Sequence, residues 1–301
     1  MAVTLTQLSA FLAVVRRGSV TAAAGELVVT QPSVSAAVSA LERELGVQLT
    51  ERIGRGLAPT AAGRAYFPYA ADVLGLLERG ASAAREASGV ERARLRVSAV
   101  TTAGEQLAPL LVHAFRERRP EFDVSLDVGN RATVFRRLTD HLVDVAITGR
   151  VPEGAGLVGE PFANNEIVLI TSPEDPLARR RWVAIEELSA RPWLVREEGS
   201  GTRVMSEEFL AGHGVAPELV TLGSNGAIRA AARAGLGVAL ISRAAVELEL
   251  EHRLLGTIRV RGGLPKRSWY VVRSAAGPVP EAVAQFTQFL QSAAARRVSS
   301  A

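Results

Sequence analysis

Four histidines and no cysteine are what this 301-residue chain offers for nucleophilic or metal chemistry. His113, His141, His213 and His252 stand isolated, and neither an H-E-x-x-H nor an H-x-x-x-H pair occurs. Zinc ligation at helical spacing is therefore not expected. Gly199-Ser200-Gly201 lacks the G-x-S-x-G spacing of a nucleophile elbow, and no base and acid accompany it. The residues suited to recognition lie elsewhere. One group is Thr30, Gln31, Pro32, Ser33, Ser35, Ser39 and Arg43. Gln31 can pair in bidentate fashion with adenine, and short hydroxyl side chains reach bases or phosphates. The other group consists of hydroxyls, amides and glycines at strand ends, with Gly199-Ser200-Gly201-Thr202-Arg203 the densest.

The first group must be carried by a helix. Val34, Val38, Leu41 and Leu45 recur at i, i+4, i+7 and i+11, so Ser35, Ala36, Ser39 and Arg43 take the opposite side. Thr30 is placed to cap this helix, and Pro32 falls in its first turn, where a missing N–H costs nothing. Ser19 caps a preceding helix Val20–Leu27, and the turn Val28–Thr30 joins the two. This is helix-turn-helix spacing, and a groove roughly 12 Å wide admits such a helix. Leu5, Leu8, Phe11, Leu12 and Val15 supply an apolar stripe for a first helix, which Arg16-Arg17-Gly18 ends. Extended pieces Val47–Arg52 and Leu57–Pro59 flank Gly54-Arg55-Gly56, a hairpin tip. Arg52 and Arg55 there are candidates for phosphate or minor-groove contact.

In order, helix Leu5–Arg17, Ala23-Ala24, T-Q-P-S-V-S, L-E-x-x-L-G-x-x-L from Leu41, Glu51-Arg52 and P-T-A-A-G from Pro59 resemble the N-terminal domain of LysR-type transcriptional regulators. The resemblance implies double-stranded promoter DNA as partner, homodimers and homotetramers, RNA polymerase contact, and no enzymatic activity. It also implies that Thr60–Ala87, with Tyr66, Ala70, Val73, Leu77 and Ala84 on one stripe, is the dimerisation helix. Pro68 should kink that helix. Two departures stand out. Ala36 and Ala37 follow the second serine where relatives often have a long polar residue. Thr50 replaces the usual aromatic, which should loosen the base of the wing.

From Leu95 the pattern alternates. Strands are expected at Leu95–Ala99, Asp123–Val128, Val143–Thr148, Glu166–Thr171, Trp193–Arg196, Leu219–Leu222, Val238–Ile241 and Trp269–Arg273. Helices are expected between them, at Gly104–Arg119, Ala132–His141, Ile185–Leu188, Thr202–Ala211, Asn225–Ala234, Ala244–Leu250 and Pro280–Ala295. Such alternation predicts α/β sheets covered by helices. This half is similar to the family's effector domain, itself similar to periplasmic solute-binding proteins, with two lobes and two crossovers near Phe162–Glu166 and Arg267–Tyr270. His141 stands where the family usually has a helix-ending glycine. V-S-L-D-V-G-N at Val124–Asn130, E-P-F at Glu160–Phe162 and R-E-E-G-S-G-T-R at Arg196–Arg203 resemble the branch with carbon-fixation and sulfur-assimilation regulators.

The expected fold class is α+β multidomain: a winged helix-turn-helix (1–59), a linker and dimerisation helix (60–91), and a two-lobed effector domain (92–301). Lobe one would comprise 92–162 and 269–301, and lobe two 163–268. Ligands of open α/β sheets bind beyond the carboxyl ends of strands. That rule selects Ser98, Thr101, Thr102, Thr148, Gly199, Ser200, Gly201, Thr202, Arg203 and Asn225. Their hydroxyls, amides and helix N-termini favour a small anionic metabolite as co-inducer, and no cofactor is expected. Gly199 and Gly201 would let backbone approach the ligand, and Arg203 would add a cation. Glu197-Glu198 could oppose an anion or pair with Arg203.

Charge adds little. Residues 1–90 hold eight arginines against seven acids, and the rest 27 basic residues against 24 acids. No basic stripe announces DNA unaided. Hydrophobic residues at 48% and charged at 22% describe a globular chain. No apolar run approaches the roughly 18 residues of a membrane span. The N-terminal residues look like a folded helix and not a secretion signal, which a free solute-binding protein would need. A cytoplasmic location with no membrane partner is expected, and a short disordered tail after Arg297.

Overall fold

The computed structural model describes residues 3–54, 56–151 and 156–292. Contacts divide the chain into two compact units, one of Met1–Glu91 with Thr139–Leu142 and Ala276–Pro278, and one of the remaining residues.

The first unit begins with α1 (Leu5–Arg17), capped by a reciprocal Thr4–Gln7 box and closed by Gly18 at φ 64°. The next helix, α2 (Val20–Leu27), is capped by Ser19, whose Oγ accepts from Ala22 N. The third, α3 (Gln31–Leu45), is capped by Thr30 and ends at Gly46 in the left-handed region. The Ser19 and Thr30 caps and the Gly18 stop are where the sequence puts them, and Gly46 is a further glycine stop that the sequence reading does not single out. The intervening turn departs from expectation, because Val28 adopts φ 56° while 90% exposed. A β-branched side chain there is strained, since its Cβ crowds the following carbonyl.

Leu8, Phe11, Leu12, Ala23, Ala24, Val34, Val38 and Leu41 close one core, with Phe11 and Leu41 fully buried. The wing is β1 (Thr50–Ile53) paired antiparallel with β2 (Gly56–Pro59), Ile53 opposite Gly56. Its base is not loosened by Thr50. Glu42, buried in α3, accepts from Leu49 N (2.9 Å), Thr50 N (3.0 Å) and Thr50 Oγ1 (3.2 Å). The threonine hydroxyl gives the carboxylate a third donor that an aromatic ring could not supply.

The long helix α4 (Ala61–Ala87) runs through Pro68. Gly63 in its first turn is required, because a Cβ there would lie 2.0 Å from the Leu49 carbonyl oxygen. The expected partner stripe divides. Ala70 is buried, and Tyr66 packs on the unit's own core against Phe11, whereas Val73, Leu77 and Ala84 remain exposed, as does Tyr69, which lies outside the expected stripe. Burial also raises the Tyr66 phenol above its ordinary range. Gly75 accommodates the His141 ring, as its Cβ would lie 2.2 Å away, and His141 takes φ 56°. That left-handed position is the one a cap glycine would occupy.

The second unit starts with β3 (Arg94–Val100), α5 (Thr101–Gln106), α6 (Ala108–Arg118), β4 (Asp123–Gly129), α7 (Arg131–Thr139), β5 (Val145–Thr148) and β6 (Leu157–Asn165). The expected single helix Gly104–Arg119 is two. Pro109 has no N–H to continue the ladder, so a break falls at Leu107 and α6 restarts with the proline in its first turn. The strand β6 has only a weak alternation, which the sequence pattern does not reveal. The chain continues through β7 (Ile167–Thr171), β8 (Trp193–Arg196), α8 (Gly201–Gly212), β9 (Leu219–Leu222), α9 (Asn225–Arg233), β10 (Ala239–Ser242), α10 (Glu247–Glu251) and β11 (Gly256–Thr257). It returns by β12 (Arg267–Ser274) and ends the described part with α11 (Glu281–Gln291).

One sheet has the order β4-β3-β5-β12-β6, with β3 parallel to both neighbours and β12 antiparallel to β5 and β6. A second group comprises β10-β7-β11, antiparallel, and β8-β9, parallel, linked through a Trp193–Val238 bridge. Two strands connect these groups: β6 leads into β7, and β12 returns beside it with Arg267 opposite Asn165. The first lobe buries Leu95, Val97, Phe115, Val145 and Phe286 together. The second packs Trp193, Phe209, Val238 and Leu240.

Candidate functional site

Two candidate recognition surfaces are present, one in each unit. In the first, the apolar side of α3 faces the core, and Gln31, Pro32, Ser33, Ser35, Ser39 and Arg43 are exposed together with the capping Thr30. Thr30 Oγ1 and Ser33 Oγ lie 2.8 Å apart. Ala36 is exposed and Ala37 packs against the core, so the outward face is shallow. Arg52 is exposed on the wing beside Gly54 at φ 59°. Arg55 lies outside the described residues, as does the tail after Arg297.

The second surface is a cleft between the two lobes of the second unit. Its inner chamber has about 60 Å³ and is lined by Thr101 and Thr102 from α5, Asn130 and Arg131 at the start of α7, Gly149 and Arg150 after β5, and Asn165. From the other lobe come Arg196, Ser200, Gly201, Thr202, Met205 and Ser242, with Arg267 and Trp269 on the returning strand. A wider mouth of about 320 Å³ is framed by Arg131, Arg150, Val151, Gly201, Val204, Glu208 and Arg267.

Of the residues expected here, Thr101, Thr102, Ser200, Gly201 and Thr202 line the chamber, and Ser98, Thr148, Gly199, Arg203 and Asn225 do not. Ser98 lies inside β3, fully buried, with its Oγ 3.4 Å from Asp127. Thr148 is fully buried at the end of β5 and donates to the Arg150 carbonyl. Asn225 forms the wall behind. It accepts from Arg196 at 2.6 Å and donates to Thr102 Oγ1 at 3.1 Å, which leaves the Thr102 hydroxyl proton free. Arg203 is engaged by Glu207 (2.8 Å), the Arg196 carbonyl and Thr221, so the α8 helical spacing places it away from the chamber.

The two glycines serve the protein's own closure. Gly199, at φ 80°, accepts from Ala132 N at 3.1 Å, and a Cβ would meet Ala132 Cβ at 3.1 Å. A Cβ on Gly201 would lie 3.3 Å from Arg131 Cδ. The α8 N-terminus, capped by Ser200 Oγ on Thr202 N, is thereby brought against the start of α7.

The charge in the cleft comes from arginines that strand-end reasoning does not select. Arg196, 3% exposed, is neutralised by a two-pronged pair with Glu197 (2.7 and 3.0 Å). Glu197 is thus committed to its neighbour and not to Arg203. Arg131 lies over the Phe135 ring, 4.9 Å from its centroid. Arg267 has a buried Nε with no hydrogen-bond partner. Burial lowers the pKa of both, and the charge of Arg150 lowers them further while Glu208 acts the other way. Arginine starts high enough that both stay charged at neutral pH. Glu208 is the carboxylate at the mouth, 3.2 Å from Arg150. A chamber of hydroxyl and amide donors under three guanidinium groups is chemically an anion receptor.

Known proteins agree with this architecture. Residues 5–64 match the bacterial regulatory helix-turn-helix protein family, lysR family, and residues 88–295 match the LysR substrate binding domain. A RuBisCO operon transcriptional regulator of Allochromatium vinosum is 36% identical over 297 residues, 98% of each chain. The regulatory domain of Synechocystis CcmR in complex with 2-PG is 30% identical with a TM-score of 0.62, over 66% of this chain and 96% of that one. A full-length OxyR variant from Pseudomonas aeruginosa, 22% identical, shares the fold over 99% of this chain and 97% of its own, with a TM-score of 0.68. Helix-turn-helix, long helix and two-lobed cleft, in that order and over nearly the whole length, place the chain in the LysR family of DNA-binding transcriptional regulators, which respond to an effector and are not enzymes.

Proposed function

We propose that this regulator reads a small, multiply charged anion in the lobe–lobe cleft and transmits it to promoter DNA held by α3 and the wing. The observation that carries the anion is the three-arginine cluster against one carboxylate, Glu208, among the described residues of the mouth, above the neutral donors of Thr102, Ser200 and Thr202. The 2-PG bound by the CcmR domain is such an anion. Thr30, Gln31, Ser33, Ser35, Ser39 and Arg43 face the DNA, and Arg52 contacts phosphate. With alanine at 36 and 37 the direct reading of bases is thin, so DNA shape and multivalent binding contribute. The exposed Tyr69, Val73 and Leu77 of α4, spaced four apart, suit a second copy of the helix. Dimers would present two recognition helices to an interrupted palindrome, and tetramers two such sites. A cytoplasmic location and contact with RNA polymerase belong to the same reading.

Thermal-shift measurement on the full-length protein tests the anion. A ligand at a hundredfold excess over Kd stabilises by about 2.7 kcal/mol. 2-Phosphoglycolate is the first probe, and footprints on the DNA beside the gene should change with it. Coupling demands different affinities in the two states. Identical footprints at saturating ligand overturn the coupling, and absence of any thermal shift with small dianions overturns the cleft assignment.

A further inference from the structure

The mouth of the cleft contains its own anion. Arg150 stands just after β5 in the first lobe, and Glu208 lies on α8 in the second, on the helix whose start touches α7. Arg150 Nη1 is 3.2 and 3.5 Å from the two Glu208 oxygens. The pair is therefore a tie between lobes. It closes over a space lined also by Arg131 and Arg267. Both side chains of the pair are more than half exposed, at 58% and 52%. An ion pair this solvated biases an equilibrium by at most about fivefold, so an incoming anion can break it. The neighbouring Glu207 differs in this respect. It has the same charge one residue earlier but is held by Arg203 and does not line the mouth.

Resting on the anion reading above, we infer that Glu208 is a built-in competitor for the effector: in the empty cleft its carboxylate occupies Arg150, and a ligand's anionic group takes Arg150 from it. The ligand class this fits is a small molecule with two anionic groups. One group is held by the neutral donors of Thr102, Ser200 and Thr202, and the other by Arg131, Arg150 and Arg267. Binding then exchanges an internal lobe–lobe tie for one that runs through the ligand. The resting pair raises the concentration a ligand needs by up to about fivefold, and it weighs most on singly charged anions, which have no second contact to offset it.

Titration calorimetry of the full-length protein with 2-phosphoglycolate provides the test. Glu208→Gln keeps the side chain's size, removes the competing charge, and should tighten binding about twofold to fivefold. Glu207→Gln removes an equal charge from the same helix and should leave the affinity within error. In an Arg150→Gln background, itself weaker binding, Glu208→Gln should bring no further gain. An equal gain from Glu207→Gln, or a gain that persists without Arg150, shows general electrostatics and overturns the competitor while the anion cleft stands. No binding of 2-phosphoglycolate to the wild-type or to the Glu208→Gln protein overturns the competitor together with the anion assignment for this ligand class.

Discussion

The proposed DNA-facing surface and the proposed effector cleft are built in opposite ways. On α3, Gln31, Ser33, Ser35, Ser39 and Arg43 come together because they are exposed residues of one helix over 13 consecutive positions, the last three on the side opposite the core. In the cleft, Thr102, Arg131, Arg150, Ser200 and Arg267 come together because sheet topology places the ends of separate strands side by side. The first needs only a helix and a core to rest on. The second needs every crossing of the chain between lobes to be correct. The two surfaces should therefore fail differently, one by losing its support and the other by losing single groups.

The largest effect should come from the support. Phe11 is fully buried and meets Tyr66 and Phe67 at 5.9 and 6.4 Å between ring centroids. Truncating such a side chain leaves a cavity, and Phe11→Ala should cost about 3–5 kcal/mol. In calorimetry the transition of the first unit should move down, and DNA retardation should be lost at temperatures where 2-phosphoglycolate still binds. Loss of both functions together would mean that the comparison is false and the two units unfold as one.

Next in size is a single group in the cleft. Arg267 has no partner for its buried Nε and touches the mouth from the crossover strand. Arg267→Gln should weaken 2-phosphoglycolate by roughly tenfold to a hundredfold, the weight of a charge-assisted hydrogen bond. The melting temperature should hardly change, because Arg267 is only half-buried and the cost of leaving its buried Nε without a partner is removed along with its packing. A tenfold loss in affinity for a DNA fragment without effector would instead place Arg267 in structural support.

These contrasts explain what is legible in the sequence. Caps at Ser19 and Thr30 and the stop at Gly18 are local signals, and each falls where spacing puts it; the Thr60 cap and the Gly46 stop are of the same local kind. Thr50 is misread from sequence because its partner, Glu42, is reached across a turn. In the cleft the rule of strand ends finds Thr101, Thr102 and Ser200 but fails at Arg203, which does not share the direction of the Gly199–Gly201 loop. On a helix it points elsewhere and pairs four residues on. Asn130-Arg131 after β4 and Gly149-Arg150 after β5 satisfy the same rule but are not among the residues expected from sequence, so two of the three arginines are missed. Arg267 lies at the start of a strand, so only topology reveals it.

The smallest effect isolates the turn that joins the two halves of the DNA reader. Val28 adopts the left-handed region at φ 56° because that turn swings the Val29 N–H onto the Ala24 carbonyl, 3.0 Å away, and so closes α2. Its side chain, 90% exposed, gains almost nothing from packing. That conformation costs an L-residue about 1–2 kcal/mol, while glycine there loses only extra chain entropy of roughly 0.5–1 kcal/mol. Val28→Gly should therefore stabilise the first unit slightly, by a net ~0.5–1 kcal/mol read as a raised melting temperature. DNA affinity should stay constant, because the variant keeps the cap and the direction of α3. Should stability rise while DNA binding weakens, Val28 itself would be a contact at the DNA surface, and the helix face would no longer account for recognition alone.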